Sequence, residues 1–143
     1  MKIKIKRIDK ELPLPAYQTS GSVGFDLYAR EEMLIASKEI KKIPANFIIE
    51  IPKNYMLMIA SRSSTPIKKG LLIPNGVGII DNDYCGPEDE LKIQVYNFTE
   101  QPVTVTKGER IAQGIFVRVD KGEWEEVEEV TSETRGCFGS TGS

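Results

Sequence analysis

Two carboxylates two residues apart stand on a predicted turn in the segment GIIDNDYCG, residues 78 to 86. Asp81 and Asp83 follow an apolar run that predicts a strand, and a carboxylate held there can orient a water molecule and accept its proton. The chain contains no histidine, so proton transfer near neutral pH falls to carboxylates. Aspartate and asparagine are also ordinary turn residues, and this segment by itself favours a plain hairpin turn.

A second candidate segment is ASRSSTPIKKG, in which an arginine and hydroxyls precede a predicted helix. Ser64 or Thr65 is the expected N-cap, a proline follows in the first turn, and Gly70 stands after the last lysine. Arg62 and Ser63 lie just ahead of that start, where a guanidinium, a hydroxyl and free main-chain N–H groups suit the oxygens of a polyphosphate. A surface arginine beside a capping serine explains the same residues equally well.

Three further segments are weak when they are taken singly. In GSVGFDLYA, Asp26 falls at the start of a strand, and if buried it would need a partner such as Arg62. The segment KGERIAQG fits an ordinary β-turn that leads into a strand. The tail RGCFGSTG combines an arginine, an aromatic face and hydroxyls, which suits either an arm that closes over a nucleotide or a disordered terminus.

The elements that must position these residues are short β-strands between turn signals. In LKIQVYN the alternation is clean, with Leu91, Ile93 and Val95 on one face. FIIEI and YMLMI are apolar on both faces, as expected for strands covered by a second sheet or by another subunit. The pattern predicts an all-β barrel or sandwich with one short helix. The predicted strands are IKIKR, FIIEI, YMLMIA, LLI, ELKIQVYNF, PVTVT and IAQGIFVRV, with a weak last one from Trp124 to Val127.

Composition limits the class of protein. A chain of 143 residues is one domain's worth and is long enough to bury a core. The 19 basic and 21 acidic residues leave a net charge of −2, so we expect neither nucleic acid nor a membrane as a partner. Two cysteines are too few for a disulfide framework, and the N-terminus MKIKIKRIDK lacks the apolar centre of a signal peptide. The sequence therefore predicts a cytoplasmic protein.

Taken together and in order, five segments resemble the five motifs of the trimeric dUTPases, the deoxyuridine 5'-triphosphate nucleotidohydrolases. They are GSVGFDLYA, SRSS, NGVGIIDNDYCG, GERIAQ and RGCFGSTG. The resemblance implies an all-β fold, a distorted jelly-roll-like β-barrel or sandwich of the β-clip type, assembled as a homotrimer with active sites between subunits. It also implies hydrolysis of dUTP to dUMP and pyrophosphate by water attack on the α-phosphate. That activity limits uracil incorporation into DNA and supplies dUMP for thymidylate synthesis.

The resemblance assigns a role to each matching residue near the phosphates. Asp81 resembles the family's water-activating aspartate. Arg62 and Ser63 match the positions that contact the phosphates and a bridging oxygen. Gln113 matches the glutamine near the phosphates, and Asp26 matches an aspartate that supports the site from behind.

The resemblance also implies that the uracil and the sugar of the substrate bind at the third segment. Asn75 and Gly78 lie in a stretch expected to form a β-hairpin whose main-chain groups read the uracil edge. Tyr84 matches the tyrosine whose ring packs on deoxyribose and leaves no space for a 2′-hydroxyl. The fifth segment supplies a closing arm in which Phe138 stacks over uracil. The polar arm residues implied to meet the γ-phosphate are Arg135, Ser140 and Thr141.

The resemblance also implies domain limits and a cofactor. Residues 1–133 would form a single domain, and residues 134–143 a flexible arm that closes over the active site. Mg²⁺ would enter on the triphosphate, whose oxygens are ligands that it prefers, so no direct protein ligand to the metal is expected. The fifth segment departs from the family pattern, because only two residues separate Arg135 from Phe138 where the family usually has several.

Two other functions stay open at this point. The first is a dCTP deaminase, or a bifunctional dCTP deaminase and dUTPase, of the same superfamily, although the tight segment GIIDNDY favours the hydrolase. The second is a non-catalytic trimeric β-barrel that binds a partner protein and keeps the motifs for assembly or nucleotide-gated signalling. Ammonia release from dCTP would indicate the deaminase.

Overall fold

The computed structural model describes residues 1–134 and Gly136, and within them the chain forms eleven strands and one short helix. This confirms the predicted all-β architecture. The elements in chain order are β1 (Lys4–Arg7), β2 (Phe25–Tyr28), β3 (Met33–Ile35), β4 (Ile40–Pro44), β5 (Phe47–Glu50), β6 (Tyr55–Ser61), α1 (Thr65–Lys69), β7 (Leu71–Leu72), β8 (Gly78–Ile80), β9 (Lys92–Asn97), β10 (Val103–Val105) and β11 (Arg110–Arg118).

The strands form four small antiparallel sheets. The largest has the order β2-β11-β6-β8, a second has the order β4-β9-β7, and the remaining pairs are β1 with β5 and β3 with β10. The ladder between β6 and β11 runs from Tyr55 opposite Arg118 to Ser61 opposite Ala112. The end of β6 that leads into Arg62 therefore lies beside the start of β11.

One hydrophobic core draws on strands from all four sheets. On β9, Ile93 and Val95 are buried, as is Leu91 just before it, whereas the alternate residues are exposed or half-buried, as their alternation predicted. Three of the four residues of β5 are buried, so its second apolar face is covered within the chain. Each large apolar side chain that is fully buried contributes about 1.5–3 kcal/mol to folding.

Gly114, in the middle of β11, is required by close packing against β2. A Cβ atom at this position would lie 2.6 Å from two ring carbons of Phe25, which is closer than non-bonded carbon atoms approach. The Phe25 ring in turn packs against the ring of Phe116, with centroids 5.4 Å apart. The glycine thus lets β2 lie tightly on β11, and β2 carries Asp26.

The helix α1 confirms its sequence signals. Ser64 occupies the N-cap position, although its side chain makes no capping hydrogen bond. Pro66 stands in the first turn, and Gly70 ends the helix in the left-handed conformation at φ 66°. The N–H of Gly70 donates to the oxygen of Pro66 at 3.0 Å, which satisfies one of the free carbonyls at the helix end. Among the described residues, no helix is long and apolar enough to cross a membrane.

Two parts of the strand prediction were wrong. The short strands β3 and β4 were not predicted, because three and five residues with mixed exposure give little periodicity. The strand predicted from Trp124 to Val127 does not form, and the Trp124 side chain is 100% exposed. A strand needs a neighbour to pair its main-chain groups, and this stretch pairs with no described strand of its own chain.

Candidate active site

A buried carboxylate holds two arginines where β6 ends. Asp26 is 6% exposed, and its Oδ1 lies 2.9 Å from Nε of Arg62 in an ion pair. Its Oδ2 accepts a hydrogen bond from Nη1 of Arg110 at 3.2 Å and another from the side-chain amide of Gln18 at 2.8 Å. The expected partner Arg62 is thus confirmed. Two guanidinium groups against one carboxylate leave a positive charge that can hold an anion.

An irregularity in β11 brings a third side chain to the same place. The pairing of β11 with β2 shifts register between Arg110 and Ala112, and Gln113 then lies opposite Asp26. Such a bulge re-aims the side chains that follow it. The amide of Gln113 donates to the main-chain oxygen of Ser61 at 3.1 Å. Gln113 therefore lies beside the end of β6, where Ser61 leads into Arg62.

A basic groove of about 310 Å³ opens next to this cluster. Its lining combines four cationic side chains with one carboxylate: Arg62, Ser64, Thr65, Lys68, Lys69, Glu109 and Arg110. Burial opposes the charged form of Glu109, but hydrogen bonds from Lys69 and Thr106 outweigh it and lower the pKa of that carboxyl below its usual value. The remaining positive charge suits a polyphosphate, whose oxygens several cations can share.

The two aspartates lie on the turn after β8, as predicted. Asp81 and Asp83 are exposed and line a cavity of about 430 Å³ that also contains Lys53 and Lys121. The turn is held by main-chain hydrogen bonds from Tyr84 N to Asp81 O at 3.2 Å and from Cys85 N to Asp83 O at 3.1 Å. The Asp81 side chain is thus presented to solvent from a turn that its own main chain stabilises.

The strand β8 has an edge whose main-chain groups could form hydrogen bonds to a planar ligand. It pairs with β6 and is the last strand in its sheet, so its other edge has main-chain N–H and C=O groups free of a neighbour among the described strands. A cavity of about 180 Å³ beside it is lined by Asn75, Gly78 and Gln94, among others. The prediction of a hairpin around Asn75 and Gly78 was wrong, because the flanking strands do not pair with each other: β7 pairs with β9, and β8 pairs with β6.

The two halves of the candidate site lie at opposite ends of β6. Ile80 is opposite Leu57, which places Asp81 near Met56, whereas Arg62 follows the other end at Ser61. Six residues of extended chain span about 20 Å at a rise of about 3.3 Å per residue. Within one chain the phosphate cluster and the carboxylate turn therefore do not meet.

Some residues remain outside this description and others were missed. Ser63 is exposed next to Arg62, but four assigned arm residues lie outside the described part of the chain: Arg135, Phe138, Ser140 and Thr141. Arg110, in the segment GERIAQ, was not predicted as a site residue, although an arginine before an apolar strand was a visible signal. Glu90, a buried acid directly before Leu91, was not predicted either.

Comparison with known proteins gives a consistent result over nearly the whole chain. The sequence model of the dUTPase family matches residues 10–143. The chain is 43% identical to a deoxyuridine 5'-triphosphate nucleotidohydrolase of Caldanaerobacter subterraneus subsp. tengcongensis, over 98% of this chain and 97% of that protein. It is 40% identical to the protein of the same name from Nautilia profundicola, over 99% of each. A solved dUTPase of Staphylococcus bacteriophage 80alpha with dUPNHPP shares 25% identity and a TM-score of 0.88, over 99% of both chains.

Proposed function

The chain belongs to the dUTPase family, and from that premise we propose that it hydrolyses dUTP to dUMP and pyrophosphate. The observation that carries the proposal is the family match over residues 10–143, which takes in all five quoted segments. The basic groove and the carboxylate turn support it, because the reaction needs a polyphosphate site and a group that activates water.

Asp81 is the proposed general base. Its carboxylate would accept a proton from a water molecule that attacks the α-phosphate, and the bond that breaks joins the α-phosphorus to the oxygen bridging to the β-phosphate. A positioned general base typically contributes about 10²-fold to 10⁴-fold to the rate. The exposure of Asp81 beside a cavity of about 430 Å³ supports access by both water and substrate.

The triphosphate is proposed to lie against the Arg62 cluster. Arg62 is held from behind by Asp26, so it keeps its direction before substrate arrives. Ser63 is exposed beside it and is assigned to the bridging oxygen, with Gln113 near the phosphates. Negative charge that develops on the leaving pyrophosphate would be stabilised by these donors.

Uracil is proposed to bind along the free edge of β8. Its ring presents a pattern of donors and acceptors that main-chain groups near Asn75 and Gly78 can match. Cytosine would leave at least one buried group unmatched, at a cost of about 1–3 kcal/mol. Tyr84 is assigned to the deoxyribose, where its ring would exclude a 2′-hydroxyl.

Mg²⁺ is proposed to arrive on the triphosphate. Phosphate oxygens are ligands that this ion prefers, and a nucleoside triphosphate supplies several of them. The ion would neutralise part of the charge on the phosphates. The protein's contribution is the cationic groove and the orientation of water by Asp81.

A homotrimer is proposed because one chain does not bring its own Arg62 and Asp81 together. Their separation of about 20 Å along β6 fits a site in which the carboxylate turn of one copy faces the basic groove of another. Apolar side chains that are exposed in the single chain, including Leu34, Ile40 and Ile79, support contact between copies.

Residues 134–143 are proposed as an arm that closes over the nucleotide, outside a single domain formed by residues 1–133. We propose that the enzyme is cytoplasmic.

The experiment that tests the function is pyrophosphate release from a panel of nucleoside triphosphates with Mg²⁺ present. We expect release from dUTP and little from dCTP, dTTP or UTP. Ammonia release from dCTP would instead establish the deaminase. Absence of turnover with every nucleotide would leave a binding module. Light scattering of the same sample should give three times the mass of one 16.0 kDa chain.

A further inference from the structure

The Tyr84 ring is anchored by a contact that the proposed chemistry does not use. Its hydroxyl donates to the main-chain oxygen of Glu90 at 3.2 Å, and its ring packs against the hydrophobic core. The loop between the two residues is closed by the N–H of Gly86, which donates to the Asp89 carboxylate at 2.7 Å. The position of the ring therefore depends on where the carbonyl of Glu90 is held.

A partly buried ion pair holds that carbonyl in place. Glu90 is 8% exposed, and its two carboxylate oxygens accept hydrogen bonds from Nε of Arg30 at 2.8 Å and from Nη2 at 3.1 Å. One of them also accepts from the main-chain N–H of Asn46 at 2.9 Å. The bond to Glu90 raises the pKa of the Arg30 guanidinium above its ordinary value. Because these three donors fix its two oxygens, the Glu90 carboxylate has one favourable position.

The residues that bond to the Glu90 carboxylate come from connections that are distant in the sequence, because Arg30 follows β2 and Asn46 lies between β4 and β5. The N–H of Arg30 donates to Pro44 O at 2.8 Å, at the end of β4. Leu91 N donates to Phe47 O at 2.8 Å, and Ala45 N donates to Leu91 O at 2.9 Å. Glu90 is thus fixed to the connection between β4 and β5, which is rigid because its residues are buried. The loop that carries Tyr84 is therefore attached at Glu90 to buried residues of the core.

Resting on the role of Tyr84 in the proposed function, we propose that Glu90 and Arg30 are positioning residues for sugar selectivity. They hold the carbonyl to which the Tyr84 hydroxyl is bonded, and so keep the ring against the 2′ carbon of the substrate. A ring that is free to tilt would make room for a 2′-hydroxyl. The pair therefore acts on the choice between dUTP and UTP, through Tyr84, without touching either nucleotide.

The test compares kcat/KM for dUTP and for UTP in three variants. Glu90→Gln disturbs the bidentate pair, and Tyr84→Phe removes the hydroxyl but keeps the ring. We expect each change to lower the ratio of the two kcat/KM values by about threefold to tenfold, the range of one net hydrogen bond. The double variant should fall no further than the lower single variant, because both changes release the same ring.

A matched control separates positioning from lost stability. Val105→Ala removes buried methyl groups on β10, in a sheet that does not contain Tyr84, so it should lower Tm and leave the ratio unchanged. If the wild-type enzyme does not release pyrophosphate from dUTP, the proposed function fails and this inference fails with it. If the wild type prefers dUTP but Glu90→Gln slows both nucleotides equally, only the inference is overturned. Should Glu90→Gln not fold, an unchanged ratio in both Arg30→Lys and Tyr84→Phe overturns it.

Discussion

Replacing Asp26 with asparagine should release Arg62 while leaving the shape of β2 almost unchanged. Asp26 is 6% exposed, and its carboxylate carries the ion pair to Arg62 at 2.9 Å and the hydrogen bond from Arg110 at 3.2 Å. Asparagine keeps one oxygen, but its NH₂ group must face a donor. The change therefore removes charge and creates one unfavourable donor-to-donor contact.

The expected loss of stability follows from how exposed each partner is. A hydrogen bond to a charged group contributes about 1.5–3 kcal/mol when shielded, whereas an exposed ion pair contributes about 0–1 kcal/mol. The Arg62 side chain is 28% exposed and that of Arg110 is 44% exposed, so the second contact is discounted towards the surface value. Together they predict a loss of about 2–3 kcal/mol, or a fall in Tm of about 5–10 °C for a chain of this size.

The assay is thermal unfolding at fixed protein concentration, because the proposed trimer would make Tm depend on concentration. Steady-state kinetics with dUTP should accompany it, and kcat/KM should fall about tenfold to hundredfold as Arg62 loses its direction. The control is Glu50→Gln, which breaks the exposed ion pair to Lys4 at 3.1 Å. That change should shift Tm by no more than about 3 °C.

The result that would refute the reasoning is a Tm of Asp26→Asn within about 2 °C of the Glu50→Gln control. Burial would then add nothing to the stabilisation that the ion pair between Asp26 and Arg62 provides. A large fall in Tm with unchanged kcat/KM would keep the energetic argument but remove Arg62 from the site. The two measurements therefore examine the support and the chemistry separately.

The remaining predictions concern the proposed base, the stability at acid pH and the proposed arm. Asp81→Asn should lower kcat by about 10²-fold to 10⁴-fold with little change in Tm, whereas Asp83→Asn should retain most activity; equal effects would deny Asp81 a special role. The lowered pKa of Glu109 means that its contribution to stability is present above the ordinary value of 4.5 and is lost as pH falls through the folded pKa. Glu109→Gln should therefore flatten the acid limb of a Tm profile below about pH 4.5, and an unchanged limb would contradict it. Deleting residues 134–143 should reduce turnover of dUTP while lowering Tm only slightly. Full activity after the deletion would show that these residues are not needed for catalysis.

The sequence by itself determined the local features of this protein. The alternation before and within β9, the proline and glycine that bound α1, and the turn that presents Asp81 all depend on residues that are neighbours in the chain. These features depend on side-chain period and main-chain conformation, and both can be read over a few residues. The order of the five segments also identified the family, which the comparisons confirmed.

Only the tertiary structure decided which of these features meet. Arg110 joins Asp26 across 84 positions, and Arg30 meets Glu90 across 60, because strand pairing brings together residues that no local pattern connects. The short strands β3 and β4 exist through their partners β10 and β9 rather than through their own periodicity. The placing of Arg62 and Asp81 at opposite ends of β6 has the same cause. Register along a shared strand determines their separation, and register is a property of the assembled sheet.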